Sequence, residues 1–150
     1  MVWEGRSCEA PPYPYFLAHG GLEAYSNRLG EVLNAQTEPV FLVGFSAGTA
    51  ACWANLVVEH LTIKHCVGFY GGQIRQMTHL EPLYPTELIF AEETHFSVSE
   101  LMDTLAGKTN LEQSLVPYPH GFMNPLSKSY HAEAAELYWG KTKAGYLSSL

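Results

Sequence analysis

The side chain best placed for chemistry in this sequence is that of Ser46, within the pentapeptide Gly44-Phe-Ser-Ala-Gly48. A continuous apolar run starts at Pro39 and predicts a strand buried on both faces of a parallel sheet. A run of small residues from Thr49 predicts a helix. Between a strand and a helix, G-x-S-x-G is typical of a nucleophile elbow, a strained turn that exposes the serine hydroxyl. The first helical amide, at Ala47, would then face an oxyanion.

A serine hydroxyl is a weak nucleophile and needs a base that takes its proton and later returns it to the leaving group. Among the seven histidines, His120 is the candidate base, because it follows a predicted strand and a proline and precedes a glycine. It also comes last in the order serine, acid, histidine that this kind of architecture uses. The alternatives are a structural loop histidine and, for Ser46, an incidental serine in a glycine-rich turn.

The third group of such a site is a carboxylate that holds the imidazole in the required tautomer. Glu92 and Glu93 are the only acids between the predicted strand 87–91 and the helix that follows it. One of them is therefore the candidate acid. The alternative is that both form a solvated acidic pair.

The elements that must position these groups alternate between strands and helices from residue 39 onward. This order predicts an α/β fold in three layers, a mostly parallel sheet flanked by helices. The helix after the elbow is apolar almost all round, so we expect it to lie under the central strand. The predicted strands are 13–18 (an edge strand), 39–43, 65–70, 87–91 and 114–118, and the predicted helices are about 22–35, 49–61, 98–105 and 129–147.

Ligands of such a sheet bind outside the carboxyl ends of its strands. Four predicted segments project there: the elbow, 70–72, 91–96 and 119–122. Ser46, the two glutamates and His120 all lie in these segments. The topology therefore predicts that the three kinds of group meet at one edge of the sheet.

Composition narrows the classes of function. The 150 residues suffice for a single domain, 1–150, and 47% hydrophobic residues indicate a compact globule. A formal net charge of −7 leaves no basic surface for nucleic acid or an anionic membrane. No apolar run predicts a membrane span, and the first residues do not read as a signal peptide. Three cysteines leave at least one unpaired, and we interpret Cys52 and Cys66 as core thiols of a cytoplasmic protein.

Several segments beyond the elbow share a wider pattern. They are Val67-Gly-Phe-Tyr-Gly-Gly72, Leu88-Ile-Phe-Ala-Glu-Glu-Thr-His-Phe96, His120-Gly-Phe-Met-Asn-Pro125 and a tail with Tyr130 and Ala134-Ala-Glu-Leu-Tyr-Trp139. Together they resemble the dienelactone hydrolase family of α/β-hydrolases, from about residue 37 to 147. The resemblance implies a reduced α/β-hydrolase fold and hydrolysis of ester or lactone bonds. It also implies a cysteine or serine nucleophile at the position of Ser46 and the base at His120.

The sequence departs from the family pattern in two ways. The family usually carries an aspartate immediately before the pair His95-Phe96, where this chain has Thr94. Threonine cannot stabilise an imidazolium as a carboxylate does. We therefore assign the acid role to Glu93, because a glutamate one residue earlier has a longer reach than an aspartate, and Glu92 is the alternative. Family members also place several strands before the elbow, where 38 residues precede Pro39 here. A slow enzyme, or one with a narrow substrate range, would fit these departures.

The remaining parts of the expected site leave alternatives open. The segment His19-Gly-Gly21 resembles the HG loop of esterases and would supply a second oxyanion amide, or it forms only the glycine entry to a helix. Arg75 is interpreted as a solvated surface residue rather than a contact for an anionic substrate. The expected apolar lining of the substrate pocket, whose members could equally be core residues, comprises Phe45, Tyr70, Phe96, Phe122 and Met123.

The function predicted from the sequence is that of a small cytoplasmic serine hydrolase. It would cleave a carboxylic ester or lactone through a Ser-His-Glu triad and an acyl-enzyme intermediate. The sequence signals no metal and no organic cofactor, and it predicts a small-molecule ester or lactone as partner for a monomer or homodimer. One alternative is a catalytically weak or inactive ligand-binding module of the same fold, as Thr94 suggests. The other is an acyltransferase that uses the same serine.

Overall fold

The fold is a parallel sheet with helices on both faces. The computed structural model describes residues 16–150. In these residues the sheet has four strands in the order β1-β2-β3-β4, and every pairing is parallel. The elements are α1 (Gly21–Asn34), β1 (Val40–Phe45), α2 (Ala47–Asn55), β2 (Ile63–Phe69), a 3₁₀ helix (Gly72–Gln76), β3 (Thr86–Glu92), α3 (Val98–Leu105), β4 (Leu111–Pro119) and α4 (Ala132–Ser149). The predicted α/β class is therefore confirmed.

Two hydrophobic cores separate the three layers, because successive side chains of a strand point to opposite faces of the sheet. One core joins the sheet to α1, α2 and α3, and the other joins it to α4. The first includes Leu33, Trp53, Cys66, Leu88, Phe90 and Leu101, and the second includes Val67, Phe69, Ile89, Ala91, Phe122 and Ala134.

Among residues 16–150, β1 pairs only with β2 and forms an edge of the sheet, so the strand before the elbow is not a central one. Its side chains still alternate between the two cores. Val40 and Leu42 pack against the first core, and Phe41 and Val43 pack against the second. An apolar run thus reports correctly that both faces of a strand are covered. It carries no information about the neighbour along the hydrogen-bonding direction.

Two predicted boundaries at the start of the chain and after the elbow need correction. Residues 16–18, the described end of the predicted strand 13–18, are helical, and residues 13–15 lie outside the described part. Helix α2 ends at Asn55 rather than near residue 61. The turn that follows is held by the hydroxyl of Tyr84, which donates to the carbonyl of Val58 and accepts from the amide of Leu61. Tertiary hydrogen bonds thus override an apolar pattern that suited a longer helix.

The last strand and helix also differ at their starts. Strand β4 begins at Leu111, three residues before the predicted strand, and α4 begins at Ala132 rather than Ser129. The ring of His131 caps α4 by accepting from the amide of Ala134. A histidine cap lacks the usual serine, threonine or aspartate signal at a helix start, so the pattern could not locate this boundary.

The cysteines and helices bear on two further predictions. Cys52 and Cys66 are both buried and unpaired, as expected of core thiols, and Cys8 lies outside the described residues. Within residues 16–150, none of the helices has both the length and the apolar character needed to cross a membrane.

Close approach of β1 and α2 depends on Gly44. A Cβ built at this position would lie 2.7 Å from both the backbone N and the Cα of Thr49. Backbone atoms cannot swing aside as a flexible side chain can, so a methyl group there would force the strand and helix apart. At Gly48, the other flank of the pentapeptide, a Cβ would make only an ordinary contact of 3.5 Å with the Tyr25 hydroxyl. Close approach of the strand and helix backbones therefore requires glycine at position 44 and not at position 48.

We predict that Gly44→Ala destabilises the protein by about 1–3 kcal/mol, the usual cost of overpacking. Gly140→Ala is the matched control, since a Cβ at that helical position meets no atom within 4 Å. This control should stabilise by up to about 1 kcal/mol, because alanine favours the helix. Urea unfolding measures both changes, and a Gly44→Ala protein as stable as the parent would contradict the close-approach argument.

Candidate active site

The elbow serine has the strained backbone that its sequence context predicts. Ser46 lies between β1 and α2 with φ 51° and ψ −118°. A residue other than glycine rarely adopts such a positive φ, because this backbone conformation costs on the order of 1–3 kcal/mol. The carbonyl of Phe69, at the end of β2, accepts hydrogen bonds from the Ser46 amide and from the Thr49 hydroxyl, both at 2.9 Å. These two bonds fix the elbow to the neighbouring strand.

Thr49 acts as a wedge between α2 and β2. Its side chain is almost fully buried, and a Cβ at Gly68 or Gly71 would lie 2.3 or 2.4 Å from its Cγ2. The two glycines therefore open the space that the threonine methyl fills. The consequence is a fixed position for the first turn of α2, which carries the amide of Ala47. As the first residue of α2, Ala47 has an N–H without an acceptor one turn earlier in the helix.

The structure brings the hydroxyl of Ser46, the ring of His120 and the carboxylate of Glu93 together. His120 Nε2 lies 3.0 Å from Ser46 Oγ, and His120 Nδ1 lies 2.6 Å from Glu93 Oε1. In the tautomer that satisfies both contacts, the Nδ1–H donates to Glu93 and Nε2 accepts from the serine hydroxyl. Nucleophile, base and orienting acid in one chain of hydrogen bonds is the arrangement that acyl transfer requires.

Glu93 and Glu92 lie in different environments. The Glu93 side chain is only 5% exposed, and its second oxygen lies 4.0 Å from the more exposed ring of His95. Glu92 ends β3 with an exposed side chain, and its carbonyl accepts from the amide of His120 at 3.3 Å. Thr94 is also exposed. Of the two sequence candidates for the acid, Glu93 is the one that the structure brings to the imidazole.

The loop after β4 holds His120 in place. Gly121 has φ 90°, and a Cβ there would lie 2.8 Å from the Ser127 hydroxyl, so the turn is restricted to glycine. The Tyr70 ring packs against the imidazole with their centroids 4.7 Å apart. Burial raises the pKa of Tyr70 to about 12, an effect that a hydrogen bond from the Met123 backbone reduces. The phenol therefore stays neutral at ordinary pH beside His120.

A cavity of about 590 Å³ opens at these groups. Three of the expected pocket residues, Phe45, Tyr70 and Met123, line it. Sequence reasoning missed the loop residues that complete it, although they lie in or just after the motif that starts at His120. The described residues that line it are Phe45, Ser46, Tyr70, His120, Gly121, Met123, Asn124, Pro125 and Ser127.

Two expected pocket residues lie elsewhere. Phe122 is fully buried and packs edge-on against Tyr70 at 5.7 Å, so it is a core residue beneath the site. Phe96 carries the guanidinium of Arg75 4.0 Å from its ring centroid and does not line the cavity. Arg75 is exposed and donates to the carbonyl of Gly72, in agreement with the surface interpretation.

The glycines before α1 form the entry to that helix. Gly20 caps α1 with φ 97°, Gly21 follows with φ 59°, and a Cβ at Gly20 would meet that of Ala24 at 2.4 Å. Neither glycine lines the cavity at Ser46. The helix-entry alternative thus accounts for both glycines, and we assign no second oxyanion donor to them.

The fold and a match to a known protein family together define the class of protein. A parallel sheet with a strand-serine-helix turn and a histidine after a later strand is consistent with an α/β-hydrolase-like fold. The chain belongs to the dienelactone hydrolase family, whose sequence profile matches residues 18–146. No curated protein matches the chain. Family membership identifies the protein as a hydrolase, and the match begins earlier in the chain than the resemblance from residue 37.

We predict that Glu93→Gln lowers turnover of a p-nitrophenyl ester by roughly 10⁴-fold, because an amide no longer stabilises the imidazolium or selects its tautomer. Glu92→Gln makes the same chemical change on the adjacent exposed side chain and is expected to have far less effect. Steady-state kinetics of both variants, with equal melting temperatures as a control for folding, test the assignment. The reverse ranking would transfer the acid role to Glu92.

Proposed function

We propose that this protein is a serine hydrolase that cleaves a carboxylic ester or lactone through an acyl-enzyme intermediate. The observation that carries the proposal is the continuous chain of contacts from Ser46 Oγ through His120 to Glu93, at 3.0 and 2.6 Å. The strained backbone of Ser46 adds support, because strain of this kind concentrates at reactive residues.

In the first half of the reaction, Ser46 Oγ bonds to the substrate carbonyl carbon while His120 Nε2 takes the hydroxyl proton. Negative charge moves to the carbonyl oxygen, which accepts a hydrogen bond from the amide of Ala47 in this proposal. Glu93 stabilises the positive imidazolium. The carbon–oxygen bond to the alcohol then breaks, and His120 returns the proton to the departing oxygen. The acyl group remains on Ser46.

In the second half, water replaces the alcohol. His120 takes a proton from water as the water oxygen bonds to the acyl carbon. The tetrahedral intermediate collapses, the bond to Ser46 Oγ breaks, and the proton returns to the serine. The products are the carboxylic acid and the free enzyme. An acyltransferase would differ only in the acceptor, so product analysis with an added alcohol or thiol distinguishes the two activities.

The inactive ligand-binding alternative derives from Thr94, which stands where the family usually has an acid. The carboxylate of Glu93, one residue earlier, reaches the same ring nitrogen that such an acid would contact. This contact favours the enzyme over the inactive module. We further propose a small-molecule substrate. We also propose a cytoplasmic location, which the buried, unpaired Cys52 and Cys66 support because free thiols are typical of a reducing compartment.

We predict that Ser46→Ala abolishes turnover of p-nitrophenyl acetate above background, because the substitution removes the oxygen that bonds to the carbonyl carbon. Loss of the hydroxyl from a strained turn should leave the melting temperature nearly unchanged. The measurements are initial rates and thermal unfolding of the two proteins. Retained turnover in the Ser46→Ala protein would contradict the proposed function.

A further inference from the structure

A second cavity, of about 510 Å³, adjoins the one at Ser46. The two share Phe45 and Met123 as lining residues. Phe45 is 38% exposed; its ring stacks on that of Phe69 at 5.2 Å and lies 6.4 Å from the ring of Trp139, which also lines the second cavity. The lining of this cavity is Phe45, Met123, Tyr130, Ala132, Ala135, Glu136 and Trp139.

The proposed chemistry assigns the two arms of an ester to different cavities. His120 must hand its proton to the leaving oxygen, so the alcohol has to lie next to Nε2. The cavity that contains His120 and the loop after it is therefore the place for the alcohol. The acyl arm extends from the carbonyl carbon away from that oxygen. The second cavity lacks His120 and starts at Phe45, the residue directly before the nucleophile, so it is open to the acyl arm.

The lining of the second cavity defines the chemistry of this arm. Two aromatic rings, Trp139 and Tyr130, join Phe45 and Met123 to form an apolar wall. Among residues 16–150, the carboxylate of Glu136 is the one charged side chain of this lining, and no lysine or arginine lines either cavity. An anionic acyl arm would meet a like charge with no cation to neutralise it. An uncharged apolar arm would be stabilised by burial in this cavity and would not be repelled by Glu136.

We propose that the protein prefers esters with an uncharged apolar acyl chain of about six carbons over acetyl esters and over acyl chains that end in a carboxylate. This inference rests on the proposed function and names the substrate class of the same site. Trp139 and Glu136 are the specificity-determining residues, the first by apolar contact and the second by repulsion.

The test compares three p-nitrophenyl esters on the intact protein: acetate, hexanoate and the mono-ester of adipic acid, which has six carbons and a terminal carboxylate. The expected kcat/KM for hexanoate is roughly 10–100 times that for acetate, since four added methylenes partly leave water. The adipate mono-ester should fall about fivefold or more below hexanoate. Rates of the Ser46→Ala protein are subtracted as background.

Variants assign these preferences to residues. Trp139→Ala should lower kcat/KM for hexanoate much more than kcat/KM for acetate, because the longer chain loses its apolar contact with the ring. Leu137→Ala, an exposed position on α4 outside both cavities, is its control. Glu136→Gln should reduce the ratio of kcat/KM for hexanoate to kcat/KM for the adipate mono-ester, because the repulsive charge is removed. Glu133→Gln is the matched control. Should Trp139→Ala fail to fold, Ala132→Trp at the exposed rim should reduce the hexanoate gain by filling the cavity.

Different failures are distinguishable. Equal Ser46-dependent kcat/KM for acetate and hexanoate would overturn the inference and leave the proposed function intact, as would an equal loss for both esters in Trp139→Ala. An adipate mono-ester preferred over hexanoate would also overturn it. Absence of any Ser46-dependent turnover would overturn the proposed function and the inference together.

Discussion

The carbonyl of Phe69 is the acceptor on which the geometry of the candidate site depends. It accepts from the amide of Ser46 and from the buried hydroxyl of Thr49, and so ties the elbow and the first turn of α2 to the end of β2. Each hydrogen bond contributes about 1 kcal/mol, so two are comparable with the roughly 1–3 kcal/mol cost of the positive φ at Ser46. Without this anchor the strained conformation would have little to maintain it.

Parallel strands bring the other groups to the same place. The elbow follows β1, Tyr70 follows β2, Glu93 follows β3 and His120 follows β4, so all four lie where strands end at one edge of the sheet. Register adds the finer alignment: the pairing of Glu92 with Pro119 puts the next residues, Glu93 and His120, side by side. A hydrogen bond 2.6 Å long between residues 27 positions apart in the chain is thus a product of strand pairing.

The fold class and the strand-serine-helix context could be predicted from the sequence, because both depend on local periodicity and on the positions of glycines. Sequence reasoning found Glu92 and Glu93 from their place after a predicted strand, and it preferred Glu93 from the family's usual acid position and from side-chain reach. It failed at Phe122, because the side-chain directions after His120 depend on the left-handed turn at Gly121 and follow no period. The order of strands in the sheet could not be predicted either. The apolar run of β1 indicates that both faces of the strand are covered, but it does not indicate that this strand forms an edge among residues 16–150. The position of Trp139 beside Phe45 arises from the packing of α4, and the tail motif that ends at Trp139 does not indicate it.

The most direct measurement is covalent trapping of the nucleophile with a fluorophosphonate, followed by intact-mass spectrometry and peptide mapping. We expect a single adduct on Ser46, formed by the native protein and lost in His120→Ala, because the reaction requires a base to activate the hydroxyl. An adduct at another residue, no adduct at all, or labelling of Ser46 that is unaffected by His120→Ala would contradict the proposed nucleophile and its activation.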